Sequence, residues 1–177
     1  MNTLDQSVHI FFQSIQTPGL TIGFYAFTWF FNTLPAVILI ALVAYFLFKW
    51  GGKRNGTEFL IAVSTSFLLV WIIKLFVNHP RPEFGIITAY GPGFPSAHTA
   101  VATTFFLFFL RFMRHEKNMI RKTIHYMFCI GVPVCVAMSR IYLGVHWLSD
   151  VLAGIVVGGG ALLLSRYIWK NIHTRVF

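Results

Sequence analysis

The sequence predicts an all-α, polytopic membrane protein that forms a single helix bundle. Of its 177 residues, 56% are hydrophobic and only 11% are charged, whereas a soluble domain carries about 25% charged residues. The mean hydropathy is +0.70. So few charged side chains cannot cover a surface that water contacts on every side, and the length leaves no room for a separate soluble domain. We therefore expect one membrane-embedded domain over residues 1–177.

The N-terminal region contains no charged residue from position 6 to position 48. Because one crossing takes about 20 apolar residues, this stretch is long enough for two crossings with a turn near 32–35. The second half, residues 34–48, has the cleaner apolar pattern. The first half, residues 8–31, is interrupted by glutamines and by Thr17-Pro18-Gly19. It either crosses the membrane as a broken helix or lies partly in the interface.

Four further apolar segments follow, separated by a polar loop at 79–95 and a basic stretch at 114–122. They cover residues 59–77, 97–113, 123–142 and 146–167. The total is six crossings, or five if the N-terminal segment is interfacial. Within them, the phenylalanine-rich run 105–110 is expected to face lipid. Gly154 and Gly158 have the spacing of small residues that permits close helix packing within a bundle.

The excess of positive charge is explained by membrane topology. The chain has 14 Lys and Arg against 5 Asp and Glu, a net charge of +9, and positive residues accumulate in cytoplasmic loops. Eleven of them fall in alternate loops and the C-terminal segment: Lys49, Lys53, Arg54, Arg111, Arg114, Lys117, Arg121, Lys122, Arg166, Lys170 and Arg175. With six crossings, both termini are expected on this cytoplasmic face. The basic patch therefore gives no argument for nucleic acid as a partner.

The three remaining positive residues belong to the opposite, outer face of the predicted bundle. Ionisable residues near a membrane are costly and are functional candidates by default. The candidates that share this outer rim are Lys74, Arg81, His98, Arg140, His146 and Asp150. Three cations, two histidines and one carboxylate indicate an anion site with acid–base capacity.

The spacing of these residues suggests how the site works. His146 and Asp150 are four residues apart, so the carboxylate can accept the proton of one imidazole nitrogen and leave the other nitrogen as a nucleophile or base. Ser96, Ala97 and His98 begin an apolar helix, and their amides are expected to point toward a bound anion. One histidine could attack phosphorus while the other protonates the leaving oxygen. The cations would stabilise the transition state, and no metal or other cofactor is required.

Three motifs in order resemble the signature of the type 2 phosphatidic acid phosphatase superfamily, in its membrane branch. They are Lys74-x6-Arg81-Pro82, Pro95-Ser96-Ala97-His98 and Ser139-Arg140-x5-His146-x3-Asp150, within residues 74–150. The resemblance implies that Lys74, Arg81 and Arg140 hold the phosphate, with Ser96 and the neighbouring amide of Ala97. It also implies that His98 is the general acid, that His146 becomes a phosphohistidine, and that Asp150 orients His146. Ala97 stands where the family usually has Gly, and we expect a helical conformation there.

The implied function is metal-independent hydrolysis of a phosphomonoester or diphosphate on a membrane lipid, at the outer face of a bacterial plasma membrane. Undecaprenyl diphosphate, phosphatidylglycerophosphate and phosphatidate are all compatible with the sequence, which leaves the substrate and the oligomeric state open. Two alternatives remain. One is a phosphatase for small soluble esters, and the other is a lipid-phosphate transporter or scramblase, for which the His146–Asp150 pair would be superfluous. His79 and Glu83, which flank the first motif, are expected in a solvated loop.

Overall fold

A computed structural model of the chain describes residues 3–83 and 85–174. Those ranges contain no strand, and the expected all-α bundle is confirmed. The helices are α1 (Thr3–Ser14), α2 (Pro18–Trp29), α3 (Thr33–Trp50), α4 (Gly52–Phe76), α5 (Ala97–Phe109), α6 (Met119–Tyr142) and α7 (Leu148–Thr174). A short 3-10 turn, Leu110–Met113, extends α5. Helices α3, α4, α6 and α7 are long and apolar enough to cross a membrane, and Ala97–Met113 is a shorter apolar helix.

Local sequence signals explain where the helices begin and end. Thr17 caps α2, because its hydroxyl accepts a hydrogen bond from the Leu20 amide, and Pro18 occupies the first turn. Asn118 caps α6 by accepting from two first-turn amides. Between α3 and α4 the chain reverses at Gly51-Gly52, and Gly52 has a φ of 81°, a conformation that favours glycine.

The N-terminal segment forms two short helices rather than one span. Helices α1 and α2 have 12 residues each, or about 18 Å of helix, against a hydrocarbon core of about 30 Å. Both contact the end of the bundle where α6 ends and α7 begins. The Asp5 carboxylate accepts from the Ser149 amide at 2.8 Å, and the Thr21 hydroxyl lies 3.1 Å from the Tyr142 hydroxyl. These contacts favour the alternative of five crossings with an interfacial N-terminal segment.

The direction of the helices corrects the expectation that both termini share one face. Asn32, just before α3, contacts His98 at the start of α5, so α3 begins at the same end of the bundle as α1. Five helices, α3 to α7, then alternate in direction, and α7 ends at the opposite end. The break at Thr17-Pro18 is the physical reason, because it prevents residues 8–31 from forming one span-length helix. Arg175, one of the predicted cytoplasmic cations, lies outside the described residues.

Helix α5 lies at the centre of the bundle and packs against α4, α6 and α7. Phe105 and Phe106 are each 8% exposed, and Phe108 is 1% exposed. The expectation that this run faces lipid is therefore wrong, because neighbouring helices cover α5 on several sides. Phe108 packs edge-on against Phe59 of α4, with ring centroids 5.1 Å apart.

Glycines allow α7 to lie directly against the start of α5. A Cβ atom at Gly154 would be 2.8 Å from the Ser96 carbonyl oxygen, and one at Gly158 would be 2.8 Å from Thr103 Cβ. Real Cβ atoms do not approach other heavy atoms so closely. The predicted role of these glycines in packing within the bundle is confirmed, and this packing brings the first turns of α5 and α7 together.

Candidate active site

Four helix ends and one loop converge at one end of the bundle. Lys74 lies in the last turn of α4, His98 in the first turn of α5, Arg140 in the last turn of α6 and Asp150 in the first turn of α7. Arg81 lies in the loop between α4 and α5. Lys74, Arg81, His98 and Arg140 line a cavity of about 600 Å³ together with His146 and Ala97, and Asp150 contacts the far side of His146. The six ionisable residues predicted to share one rim are therefore close together in space.

His146 is held between a carboxylate and a cation. Its Nδ1 lies 3.2 Å from Asp150 Oδ2, and its Nε2 lies 3.2 Å from Arg81 Nη1. Because a guanidinium only donates, Nε2 carries the lone pair and Nδ1 carries the proton. The Trp147 amide donates to the same Asp150 oxygen at 3.0 Å. This is the tautomer that the spacing of His146 and Asp150 predicted, with the Nε2 lone pair directed at Arg81.

The surroundings of His146 favour its neutral form. The residue is 2% exposed, and burial lowers its pKa from 6.5 to about 4. The hydrogen bond that His146 donates to Asp150 raises the pKa, while the charges of Arg81 and Arg140 lower it. Burial is the largest of these effects. The imidazole is consequently unprotonated at neutral pH and available as a nucleophile.

Backbone carbonyl groups hold the cations in place. Arg81 donates to the carbonyl oxygens of Gly91 at 3.0 Å and Val145 at 2.7 Å, and the Lys74 ammonium donates to the carbonyl of Pro92. Arg140 is 5% exposed, and its Nε is buried without a hydrogen-bond partner. A buried donor without a partner is costly. An anion in the cavity would satisfy it.

The second motif differs in part from the expectation. Ser96 is fully buried, its amide donates to the Asp150 carbonyl at 3.0 Å, and its hydroxyl accepts from Thr99 at 3.1 Å. The Ser96 amide is therefore not directed at a bound anion, because the close packing of α5 on α7 occupies it. Ala97 does line the cavity and begins α5. Its conformation is helical, as expected, and no described non-glycine residue has a positive φ.

Three residues that the sequence did not single out as site residues contact the predicted ones. His79 Nδ1 lies 3.1 Å from Asp150 Oδ1, so the expectation of a merely solvated position is wrong for His79. Asn32 Oδ1 lies 3.1 Å from His98 Nε2, and the Thr28 hydroxyl accepts from Arg140 at 3.1 Å. Asn32 and Thr28 are more than 40 residues before the first motif. No spacing rule connects them to it.

Comparison with known proteins identifies the family. The family model described as the PAP2 superfamily matches residues 55–173. The chain belongs to the PAP2 superfamily. It is 28% identical to the putative undecaprenyl-diphosphatase YbjG of Escherichia coli K12, over 80% of this chain and 72% of that protein. It is 30% identical to phosphatidylglycerophosphatase B of Bacillus subtilis 168, over 81% of this chain and 68% of that protein.

Solved structures of PAP2 proteins share the fold. The crystal structure of the first transmembrane PAP2-type phosphatidylglycerolphosphate phosphatase, from Bacillus subtilis, superposes with a TM-score of 0.82 at 24% identity, covering 95% of this chain and 85% of that one. LpxE from Aquifex aeolicus gives a TM-score of 0.74 at 23% identity, covering 94% and 96%.

These comparisons confirm several expectations at the level of the family. They bear out the resemblance to PAP2 membrane phosphatases, the helical membrane fold and the class of phosphoric ester hydrolase. Named PAP2 relatives are lipid phosphatases, which supports a multi-pass membrane protein of that kind. Over residues 3–83 and 85–174, no three His, Cys, Asp or Glu side chains are grouped so that they could hold a metal ion.

Proposed function

We propose that this PAP2 protein hydrolyses a phosphomonoester or diphosphate on a membrane lipid, without a metal, through a phosphohistidine on His146. The observation that carries the proposal is the hydrogen-bonded series Arg81–His146–Asp150 beside a cavity lined by two more cations. A binding protein for lipid phosphates would need the cations alone. An oriented, neutral imidazole next to them adds a nucleophile.

In the proposed reaction, His146 Nε2 attacks phosphorus in line as the bond to the leaving oxygen breaks. His98 donates a proton to that oxygen, and Asp150 stabilises the charge that develops on His146. Water then attacks the phosphohistidine, His98 accepts a proton from this water, and the phosphorus–nitrogen bond breaks to release inorganic phosphate. Lys74, Arg81 and Arg140 stabilise the negative charge on the phosphoryl oxygens in both steps. The amides at Ala97 and His98 complete the phosphate cradle.

The proposed substrate keeps its hydrocarbon tail in the bilayer while its phosphate enters the cavity. The cavity is surrounded by helix ends of the membrane-spanning bundle, so a headgroup can reach it from the outer leaflet. The positive residues at the opposite end of the bundle support this orientation, because such residues accumulate on the cytoplasmic side. The names of the relatives favour undecaprenyl diphosphate or phosphatidylglycerophosphate as the substrate.

The test is a panel of lipid mono- and diphosphates, together with a water-soluble sugar phosphate, offered to the purified protein in detergent. We expect phosphate release from at least one lipid and little from the soluble ester. His146→Ala should abolish release, whereas His115→Ala, an exposed histidine at the opposite end of the bundle, should retain it. An alkaline quench during turnover should trap phosphate on the peptide containing His146.

Each alternative has its own result in this panel. Preferred turnover of the sugar phosphate would indicate a phosphatase for soluble esters. A wild-type protein that binds lipid phosphates, moves them between leaflets and releases no phosphate would be a transporter or scramblase, and the proposal would be wrong.

A further inference from the structure

The α2 helix presents one face to the candidate active site, although it lies outside the three motifs and outside the matched family region. Tyr25, Thr28 and Asn32 are spaced by three and four residues, which places them on one side of α2 and the turn that follows it. Tyr25 and Asn32 line the cavity. Thr28 is 2% exposed and lies behind them.

Asn32 makes a directional contact with His98. An amide oxygen can only accept, so the 3.1 Å contact between Asn32 Oδ1 and His98 Nε2 requires the proton on Nε2. Both residues line the cavity, and this edge of the imidazole therefore borders the space a substrate would occupy. A leaving oxygen that enters there can replace the amide oxygen as the acceptor of the same proton.

Thr28 makes the corresponding contact with Arg140. Its hydroxyl accepts from Arg140 Nη1 at 3.1 Å, in a fully buried position. The Nε of the same guanidinium has no partner. Thr28 thus fixes one edge of the guanidinium and leaves another edge for an anion.

We infer that Asn32 and Thr28 are positioning residues for the reaction: Asn32 holds His98 with its proton toward the leaving group, and Thr28 holds Arg140 toward the phosphate. This inference rests on the proposed phosphatase activity. In this arrangement, α2 and the following turn form the wall of the site nearest the leaving group. The residues of this wall lie outside the three motifs.

Substrates with different leaving groups test the role of Asn32. An alkyl phosphate needs a proton on its leaving oxygen, whereas a nitrophenyl phosphate leaves without one. Because general acid catalysis contributes about 10²–10⁴-fold, Asn32→Leu should lower kcat/KM for the alkyl phosphate by about tenfold or more. The loss for the nitrophenyl ester should be about twofold. Asn32→Asp retains an acceptor oxygen and should recover most of the alkyl phosphate activity.

Thr28 has a different expected signature. Thr28→Val removes the acceptor while keeping the volume, and it should raise KM for both substrates by a similar factor, on the order of tenfold for a lost hydrogen bond to a charged group. Thr28→Ser should restore KM. The matched control is Thr21→Val, on the same helix, because the Thr21 hydroxyl contacts Tyr142 and no residue of the site. It should stay within about twofold of wild type.

The outcomes separate this inference from the proposed function. If the wild type releases no phosphate from any substrate, the proposed function fails. If the wild type is active but Asn32→Leu affects both leaving groups equally, or Thr21→Val loses as much activity as Asn32→Leu, the contacts are only structural and the inference is overturned. Thermal unfolding of each variant identifies any that fail to fold. If Asn32→Leu fails to fold, Asn32→Ser takes its place. The ratio of kcat/KM for the alkyl phosphate to kcat/KM for the nitrophenyl phosphate should then be lower than in the wild type, and an unchanged ratio overturns the inference.

Discussion

At the scale of single residues, the chemistry depends on how His146 is surrounded. Its Nδ1 proton is held by Asp150, and its Nε2 lone pair faces Arg81. In the resting state the guanidinium donor occupies the position that an incoming phosphate would approach. Binding of an anion between Arg81 and Arg140 would draw this donor onto a phosphoryl oxygen and expose the lone pair for attack.

The pH dependence of kcat/KM should reflect the low pKa of His146. Attack needs the neutral imidazole, and the pKa of about 4 means that this form is lost only as pH falls through that value. We expect kcat/KM to rise as pH increases through about 4, because His146 Nε2 must lose its proton before it can attack. Measured profiles, corrected for ionisation of the substrate phosphate by ³¹P NMR, check this. An acidic limb near pH 6.5, the value of an unperturbed histidine, would contradict the burial argument.

His79 should contribute through Asp150. It contacts the carboxylate oxygen that His146 does not use, so removing it frees one side of a fully buried carboxylate. His79→Leu is expected to lower kcat by about tenfold, since a hydrogen bond to a charged group stabilises by about 1.5–3 kcal/mol. His79→Asn keeps a donor near the same position and should be milder. Equal kinetics in both variants and the wild type would mean that the contact has no role in orienting Asp150.

At the scale of elements, the pairing of α5 with α7 brings the two histidines together. The Ser96 amide donates to the Asp150 carbonyl, and the carbonyl of Ser96 lies against Gly154. The turn of α5 that contains His98 is therefore fixed directly to the first turn of α7, close to His146. Displacement of one helix must change the distance between His98 and His146.

Gly154→Ala should test this coupling. The added Cβ would lie 2.8 Å from backbone, so α5 must shift. We expect a lower Tm and a fall in kcat of about tenfold or more, because displacements of about 1 Å can cost 10²-fold in rate. The matched control is Gly159→Ala in the same helix, where a Cβ would meet nothing within 4 Å. That variant should gain about 0.5–1 kcal/mol of stability from helix propensity and keep its activity. Identical behaviour of the two variants would show that close approach at Gly154 is unimportant.

At the scale of the whole molecule, the bundle separates the candidate site from the basic end. The site is at the end where α4 and α6 finish, and an ion-paired cluster of Arg54, Glu58 and Arg111 lies at the other. Positive residues that the site does not use are concentrated at that second end. This asymmetry supports an outward-facing cavity.

Labelling from one side of the membrane tests the orientation. Thr88 is exposed and lines the cavity mouth, and Lys117 is exposed at the opposite end. Since Cys135 is exposed and Cys129 is buried, Cys135→Ser provides the background. We expect an impermeant maleimide to label Thr88→Cys in intact cells and Lys117→Cys only after permeabilisation. The reverse pattern would place the site on the cytoplasmic side.

The sequence by itself determined that this is a membrane protein, where its helical segments lie, and which ionisable residues are candidates for the chemistry. The thickness of the bilayer sets the length of an apolar segment that crosses it, so crossings can be recognised from hydropathy. Charged residues are costly in a membrane, so their presence there indicates a function. It also predicted the tautomer of His146, because Asp150 follows it closely in the chain, although the structure places His146 just before α7 and not within it. These properties depend on residues that are close together in the chain, so a sequence pattern is enough to predict them.

Only the tertiary structure decided which contacts form between distant segments. It showed that the N-terminal helices lie at the site end, that the phenylalanines of α5 are buried, and that the Ser96 amide is occupied. It also brought Thr28, Asn32 and His79 to the site, the first two from more than 60 residues before their partners. Burial and pairing of this kind depend on which helix covers which face. No periodicity within a single segment encodes that choice.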